Sequence, residues 1–291
     1  SYERAGAAEI SYFNEKTMAG LGRDLSQTGR LSPSGRELAL KTFQRFRAIT
    51  SSLQVTDIRA VATAAVREAS DGKEFKAQAE KILRTPIKVL TGPDEGRLSA
   101  LGVRAGFLDP QGIVADLGGT SMELRPIGEE AEGESYLLGP LARADDLELS
   151  FEKRAKIMRK ILSSSKFPTN SKDTKLYAVG GAWRNIAAVH MMLSEYPLRI
   201  AHGYRLNRKD VENVIDAAEL SISDKFTRER LQAVSKRRFE TIPHSALLLK
   251  SLMEQLGTQE VVVSSFGLRD GVAAEGAPIG GARGLLDAVP L

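Results

Sequence analysis

The chain has 291 residues, of which 42% are hydrophobic and 27% are charged, so it is long enough for two domains with sizeable cores and too apolar for a disordered chain. It contains no cysteine, which excludes disulfides, thiolate metal sites and a cysteine nucleophile, and which suits a reducing cytosol. The 41 basic and 37 acidic side chains give a net charge of +4, which favours anionic partners only weakly.

The first part of the chain alternates predicted helices and strands. Ser32 followed by Pro33 is the preferred order of a cap and a first helical residue, and it predicts a helix start. The apolar positions that follow share one helix face: Ala39, Phe43, Phe46, Ile49 and Leu53. Further along, the pattern predicts a buried strand, a helix, a strand and a helix at 58–63, 72–84, 87–92 and 94–107. We expect the last helix to open near Asp94 and Glu95, and the alternation indicates an α/β fold.

The stretch "VADLGGTSMEL", residues 114–124, has two interpretations. It predicts a β-hairpin, because an apolar strand enters the Gly118-Gly119 pair and alternating apolar residues leave it. It also resembles a phosphate loop, because successive N–H groups in a turn form an anion-binding nest and glycines let a phosphate come close. Asp116 and Glu123 would then flank the anion, and a cation between them would balance their charges.

A second glycine pair follows farther along the chain. The pattern predicts a mostly helical stretch at 151–165 and a strand at 175–181 that ends in Gly180-Gly181. A helix follows at once, and this arrangement aims helix N-terminal N–H groups at an anion. Taken alone, however, the pair favours a simple tight turn from strand to helix. Neither a GxGxxG nor a GxxxxGK[ST] nucleotide loop occurs in the chain, and a Gly/Pro/Ala-rich tail begins at Gly276.

Membrane and nucleic-acid partners are not expected. No apolar run approaches the roughly 20 residues of a membrane span, so we expect a cytoplasmic protein. Basic clusters such as "SKRRFE", residues 235–240, have neither the aromatic pattern nor the zinc spacing of a nucleic-acid binder.

Six segments resemble the exopolyphosphatase/guanosine pentaphosphate phosphohydrolase family in order and spacing. They span roughly residues 13–272 and read "FNEKTMAGLGRDLSQTGRLS", "RAVATAAVREASDGKEF", "VLTGPDEGRLSALGV", "VADLGGTSMEL", "AVGGAWRNIA" and "SSFGLRDGV". The resemblance implies an α/β fold of the two-domain actin-like ATPase (ribonuclease H-like) type, with an interdomain phosphate-binding cleft. The two domains would comprise residues 1–111 and 112–291. A Rossmann fold, which the same alternation would also suggest, is therefore not expected.

The resemblance also implies roles for individual residues. The family's "SGxEEAR" reads "TGPDEGR" here, which makes Glu95 the glutamate that acts on the attacking water, with Asp94 and Gly96 beside it. The family's "DIGGGSTEL" reads "DLGGTSMEL", which makes Asp116 and Glu123 the Mg²⁺-site positions. The residues that match phosphate-binding positions are Thr63, Arg67, Gly118, Gly119, Thr120, Ser121, Gly180, Gly181 and Arg184. Thr120 replaces a third glycine, so the approach of a phosphate to the backbone differs there.

The beginning of the family pattern lies ahead of the first residue. Members begin with a strand and a phosphate loop that read much like "DIGSNSxRL", and this sequence starts just past the matching position, at "SYERAG". We expect Ser1, Tyr2 and Glu3 to match the tail of that first hairpin. A protein that truly lacked this loop would lose N–H and hydroxyl donors around the anion, and we would expect little catalysis from it. Longer relatives carry a further helical domain.

The resemblance implies a Mg²⁺-dependent exopolyphosphatase that removes the terminal phosphate of inorganic polyphosphate. Two alternatives stay open: a guanosine pentaphosphate phosphohydrolase, and a non-catalytic binder of either compound. A kinase of the same fold is disfavoured, because "PDEGR" and "SSFGLRDGV" resemble the phosphatase branch. Polyphosphate comes first because the basic excess suits a polyanion and no aromatic motif indicates a guanine pocket. We expect Lys236, Arg237 and Arg238 to extend a positive track for long polyphosphate chains. A homodimer is a further expectation.

Overall fold

The computed structural model describes residues 2–5, 8–11, 13–128, 132–167, 174–236 and 238–275. Two small sheets and five helices form the first part of the described chain. Its elements are β1 (Tyr2–Ala5), β2 (Ala8–Ser11), α1 (Leu25–Thr28), α2 (Pro33–Ser52), β3 (Ala60–Ala62), α3 (Ala64–Glu68), α4 (Gly72–Leu83), β4 (Ile87–Val89) and α5 (Gly92–Gly106). Strands β1 and β2 pair antiparallel, and β3 and β4 pair parallel.

The predicted helix starts and strands of this part need local corrections. Helix α2 begins at Pro33 as predicted, although the Ser32 hydroxyl makes no capping hydrogen bond. Of its predicted apolar face, Ala39 is buried, whereas Leu53 follows the last helical residue and is exposed. The strand predicted at 58–63 is shorter and only half-buried, because β4 is its sole partner among the described residues. Helix α5 begins at Gly92, before the predicted opening near Asp94.

The second part is built on a six-stranded sheet. Its elements are β5 (Ile113–Leu117), β6 (Met122–Pro126), β7 (Glu134–Tyr136), α6 (Phe151–Leu162), β8 (Leu176–Val179), α7 (Gly181–Leu193), β9 (Arg205–Asn207), α8 (Arg208–Leu220), α9 (Lys225–Ser235), α10 (Ile242–Leu256), β10 (Glu260–Ser264) and α11 (Leu268–Ala274). The strand order is β7-β6-β5-β8-β10-β9. The central strands β5, β8 and β10 run parallel, and the outer strands pair antiparallel. The tail from Gly276 lies outside the described residues.

The central strands are nearly continuous apolar runs because both of their faces are covered. On one face the largest core packs the strands against α7, α8 and α10, and it includes the fully buried Trp183. On the other face, Ala100 and Val103 of α5 pack against Val114 and Tyr177. Helix α5 is therefore held on the sheet of the second part. The predicted domain boundary between residues 111 and 112 stays a prediction. Among the described helices, none has the length and apolar character needed to cross a bilayer.

Candidate active site

Three parallel strands end at one edge of the large sheet. Asp116 of β5 lies beside Val179 of β8, and Val179 lies beside Ser264 of β10. The loops after these strands are therefore neighbours at the carboxyl ends of the strands, where open α/β sheets bind ligands. Both predicted glycine loops lie at this edge, together with residues 265–267.

The first glycine loop is the turn of a β-hairpin, as one of its two interpretations predicts. Asp116 and Glu123 are direct partners in the antiparallel β5–β6 register, so their side chains emerge on the same face of the sheet. The Gly118 N–H donates to the Ser121 carbonyl at 2.9 Å and closes the loop. The hairpin thus brings the two predicted metal-site carboxylates to one side.

The carbonyl groups of this loop are held from one direction. The Gly139 N–H donates to Thr120 O at 3.0 Å, and the Leu141 N–H donates to Gly119 O at 2.8 Å. In a trans peptide the N–H points opposite to the carbonyl, and the described residues contain no cis peptide bond. The N–H groups of Thr120 and Ser121 therefore both point away from Gly139 and Leu141, and two such donors on one side form a nest for an anion.

Two neighbouring acids at the start of α5 have different surroundings. Thr91 caps the helix: its hydroxyl accepts from the Asp94 N–H at 3.2 Å and donates to the Asp94 carboxylate at 2.8 Å. The Asp94 carboxylate is therefore engaged in the helix cap, and the hydrogen bond from Thr91 lowers its pKa. Glu95 is only 5% exposed and lies near Asp116 and Glu123. The helix therefore turns Glu95, and not Asp94, toward the hairpin.

Arg67 binds the carboxylate of Glu95. Its Nη1 donates to Glu95 Oε1 at 2.6 Å and to Leu90 O at 2.6 Å, and its Nε donates to Glu68 Oε1 at 2.9 Å. Arg67 lies in the last turn of α3, and Thr63 is the residue before that helix. The structure therefore places the predicted phosphate-binding arginine against the predicted catalytic glutamate, and it fixes the position of that glutamate.

Glu95, Asp116 and Glu123 form an acidic cluster in which the two glutamates are buried and Asp116 is half-buried. Burial raises the pKa of Glu95 to about 7, with Arg67 opposing the shift and Asp116 adding to it. Burial raises the pKa of Glu123 to about 8, and the nearby Glu95 adds to this shift. The pKa of Asp116 is also raised by burial, against hydrogen bonding from Ser99 and the charge of Arg184. Three neighbouring acids that resist ionisation together would be stabilised as anions by a nearby cation.

The donor set of this cluster fits Mg²⁺. Within the described part of the chain, no group of three or more His, Cys, Asp and Glu side chains is arranged to enclose a metal. Mg²⁺ does not need such a cage, because it usually binds one or two carboxylates, retains waters and shares the phosphate oxygens of its substrate. Asp116 and Glu123, directly opposite each other on the hairpin, can supply that pair of carboxylates.

The second glycine loop lies against the first and against an arginine. Gly180 has a φ of 111°, and an added Cβ there would lie 2.4 Å from Leu117 O, so only glycine fits. Gly181 opens α7, and an added Cβ there would lie 2.0 Å from Nη1 of Arg238. The Arg238 guanidinium is therefore placed at the positive end of the α7 dipole, where an anion would be stabilised by both.

Four cations surround this helix start, and we call Lys16, Arg184, Arg238 and Arg269 the basic cluster. Burial and then the charges of Arg238, Arg184 and Arg269 lower the pKa of Lys16 to about 8. Burial also lowers the pKa of Arg184, and Arg269 lowers it further, while Asp116 opposes both. These cations repel one another, which is the electrostatic condition for binding a polyanion.

The arginines of the basic cluster form hydrogen bonds with neutral partners. Arg184 donates to the carbonyl of Ser265 at 3.1 Å, and Arg269 donates to the amide oxygen of Asn14 at 2.7 Å. Nη2 of Arg238 lies 3.8 Å from the sulfur of Met18. The contacts of Arg269 and Arg238 bring the segment 14–18 from the first part of the chain to the end of the large sheet.

Sequence reasoning assigned no role to Lys16 or Arg269. Both lie inside segments that carry the family resemblance, "FNEKTMAG" and "SSFGLRDGV", and a basic residue in such a segment was the available signal. Arg238 was expected in a track beyond the site, but it lies at the second glycine loop itself. Arg237, predicted in the same track, lies outside the described residues.

Comparisons with known proteins identify the family of this chain. The model of the Ppx/GppA phosphatase family matches residues 5–278, nearly the whole chain. The chain belongs to the Ppx/GppA phosphatase family. This phosphatase family comprises hydrolases, so the predicted general class of activity is confirmed.

Crystal structures of similar proteins share the fold. An Aquifex aeolicus member of the Ppx/GppA family is 23% identical over 94% of this chain and 88% of its own, with a TM-score of 0.71. An exopolyphosphatase from Cytophaga hutchinsonii is 20% identical over 96% of this chain and 94% of its own, with a TM-score of 0.80. The predicted α/β fold is confirmed, because the chain shares the fold of these solved structures.

Proposed function

We propose that this protein is an exopolyphosphatase that hydrolyses the terminal phosphoanhydride of inorganic polyphosphate with the help of Mg²⁺. The observation that carries the proposal is the meeting, at one sheet edge, of the acidic cluster and the basic cluster. Hydrolysis of a phosphoanhydride needs both, because a base must direct water while cations neutralise the phosphate oxygens.

Glu95 is the base in this proposal. Its carboxylate accepts a proton from the attacking water, the water oxygen bonds to the terminal phosphorus, and the bridging P–O bond breaks. The shortened polyphosphate leaves with the electron pair of that bond, and Glu95 then returns its proton to solvent. Arg67 positions the carboxylate through its 2.6 Å contact, and Thr63 is a candidate hydroxyl donor to the same phosphoryl group. Burial that raises the pKa of Glu95 to about 7 makes it a competent base near neutral pH.

The remaining residues hold the phosphates. The N–H groups of Thr120 and Ser121 and those of the second glycine loop would bind phosphoryl oxygens, and Arg184 and Arg238 would neutralise them. Asp116 and Glu123 would hold Mg²⁺, which supplies neutralisation of phosphate charge when it is bound. The four positive side chains of the basic cluster suit a substrate with several consecutive phosphates, so we rank polyphosphate above guanosine pentaphosphate. The exopolyphosphatase from Cytophaga hutchinsonii with the same fold supports this ranking. A cytoplasmic location and a homodimer stay predictions.

Phosphate release from polyphosphate and from guanosine pentaphosphate, measured in parallel with and without Mg²⁺, tests the proposal. We expect Mg²⁺-dependent release that is faster from polyphosphate at equal concentrations of terminal phosphate. A clear preference for guanosine pentaphosphate would favour the second enzyme activity. Tight binding of either compound without release would favour a non-catalytic binder.

A further inference from the structure

A buried serine connects the helix of the catalytic glutamate to the strand of the metal-site aspartate. Ser99 has no exposed surface, and it lies four residues after Glu95 in α5, on the same helix face. Its hydroxyl donates a hydrogen bond to Oδ2 of Asp116 in β5. Serine is not favoured in the interior of a helix, because its hydroxyl competes for backbone groups. Here the hydroxyl is committed to a carboxylate of the site instead.

The contact gives the two oxygens of Asp116 different surroundings. Oδ2 faces α5 and accepts from Ser99, whereas Oδ1 lies toward the second glycine loop, 3.3 Å from where a Cβ of Gly180 would be. A carboxylate with one oxygen held in this way has a fixed plane. It can offer its other oxygen to a cation without first giving up rotational freedom.

A second serine hydroxyl binds the other predicted metal-site acid, and Glu95 lies close to both acids. Ser135 of β7 donates a hydrogen bond to Oε1 of Glu123 at 3.0 Å. Each of the two predicted metal-site carboxylates thus accepts a hydrogen bond from a serine hydroxyl.

We propose that Ser99 is a positioning residue for the cation site: it orients Asp116 and joins the helix that carries Glu95 to the strand that carries the cation ligand. The inference rests on the proposed function for its reaction. Cation binding, however, can be measured without turnover, so Ser99 can be tested independently of the proposed reaction.

Three variants of the whole chain separate positioning from packing. Ser99→Ala removes the hydroxyl, and Ser99→Cys nearly preserves the volume while leaving only a weak donor in a chain that has no other cysteine. Ser245→Ala is the matched control. It removes another fully buried helical hydroxyl, one that has no hydrogen-bond partner among the described residues.

The measurement is Mg²⁺ binding by the substrate-free protein, followed by calorimetry and by thermal shift, with phosphate release recorded beside it. We expect Ser99→Ala to weaken Mg²⁺ binding about 5- to 10-fold, up to about 1.4 kcal/mol, with Ser99→Cys in between and Ser245→Ala unchanged. The KM for polyphosphate at saturating Mg²⁺ should change less than about 2-fold.

Several outcomes would overturn the inference. One is equal Mg²⁺ affinity in the wild type and both Ser99 variants, provided that the variants are folded. Another is an equal loss in Ser245→Ala, which would indicate a general packing effect. Absence of Mg²⁺ binding in the wild type would show that the proposed cation site does not exist. If Mg²⁺ binds as expected but no substrate is hydrolysed, the inference about Ser99 stands and the proposed activity fails.

Discussion

Replacement of Glu123 by glutamine should change how the stability of the metal-free protein depends on pH. Glu123 is 2% exposed, and its pKa is raised to about 8 from an ordinary value of 4.5. A raised carboxyl pKa means that the folded state disfavours the charged form. The stability that this group contributes is therefore fully present below about pH 4.5 and is lost as the pH rises through about 8.

The size of the effect follows from the two pKa values. Between pH 5.5 and pH 8.5 the wild type should lose about 3 kcal/mol of unfolding free energy through Glu123, at 1.36 kcal/mol per pKa unit. For a chain of this length that corresponds to about 6 °C in melting temperature. Glu123→Gln cannot ionise and keeps an acceptor for the Ser135 hydroxyl, so it should lose much less over the same range.

Thermal melts in a chelator at several pH values would measure this difference. Glu37→Gln is the control, because Glu37 is exposed and pairs with Lys41 one helical turn away. Mg²⁺ added at pH 8.5 should raise the melting temperature of the wild type and leave that of Glu123→Gln nearly unchanged. Parallel pH curves for the wild type and Glu123→Gln, or an equal response of both to Mg²⁺, would refute the reasoning.

Three further predictions concern turnover and binding. Glu95→Gln should lower kcat by about 10² to 10⁴ in a steady-state assay, with little change in substrate binding. Asp94→Asn should instead lower the stability by about 1 kcal/mol in a thermal melt, because it weakens the helix cap. Loss of turnover in Asp94→Asn but not in Glu95→Gln would make Asp94 the base. Asp116→Asn should raise the Mg²⁺ concentration for half-maximal phosphate release by more than about 10-fold, and an unchanged requirement would contradict the assignment. Arg238→Ala and Lys16→Ala should each raise the KM for polyphosphate and reduce its dependence on salt; an unaltered salt dependence would exclude both from the phosphate site.

The pairing of Asp116 with Glu123 across the hairpin could be predicted from the sequence. A loop over 118–121 between alternating strands places Asp116 opposite Glu123, and the structure has that register. The order Thr91-Gly92-Pro93-Asp94 is a capping-box pattern with proline in the first turn, and it would have identified Asp94 as the capping acid. The strand predicted at 87–92 was too long: it included Thr91, which in the structure caps α5, whereas β4 ends at Val89.

The basic cluster could not be derived from the sequence by spacing. Lys16 and Arg238 are separated by most of the chain, and they become neighbours only when the segment 14–18 reaches the end of the large sheet. No periodicity encodes such a contact, because Lys16 precedes the first helix and Arg238 lies in the connection between α9 and α10. Each cation alone has the ordinary interpretation of a solvated surface residue.

The loop over 118–121 accommodates a side chain at a position where the family pattern described above has glycine. Thr120 occupies the place of the third glycine in the pattern "DIGGGSTEL", and it is 6% exposed. Its hydroxyl oxygen would lie 2.7 Å from a Cβ added to Gly22, so the side chain fits because residue 22 has no Cβ of its own. The exposed part of the loop is still Gly118-Gly119, and the Thr120 N–H points away from the segment that binds the loop carbonyls. A side chain larger than glycine is therefore accommodated on the buried side of the loop, and the donors proposed to bind phosphate stay on the other.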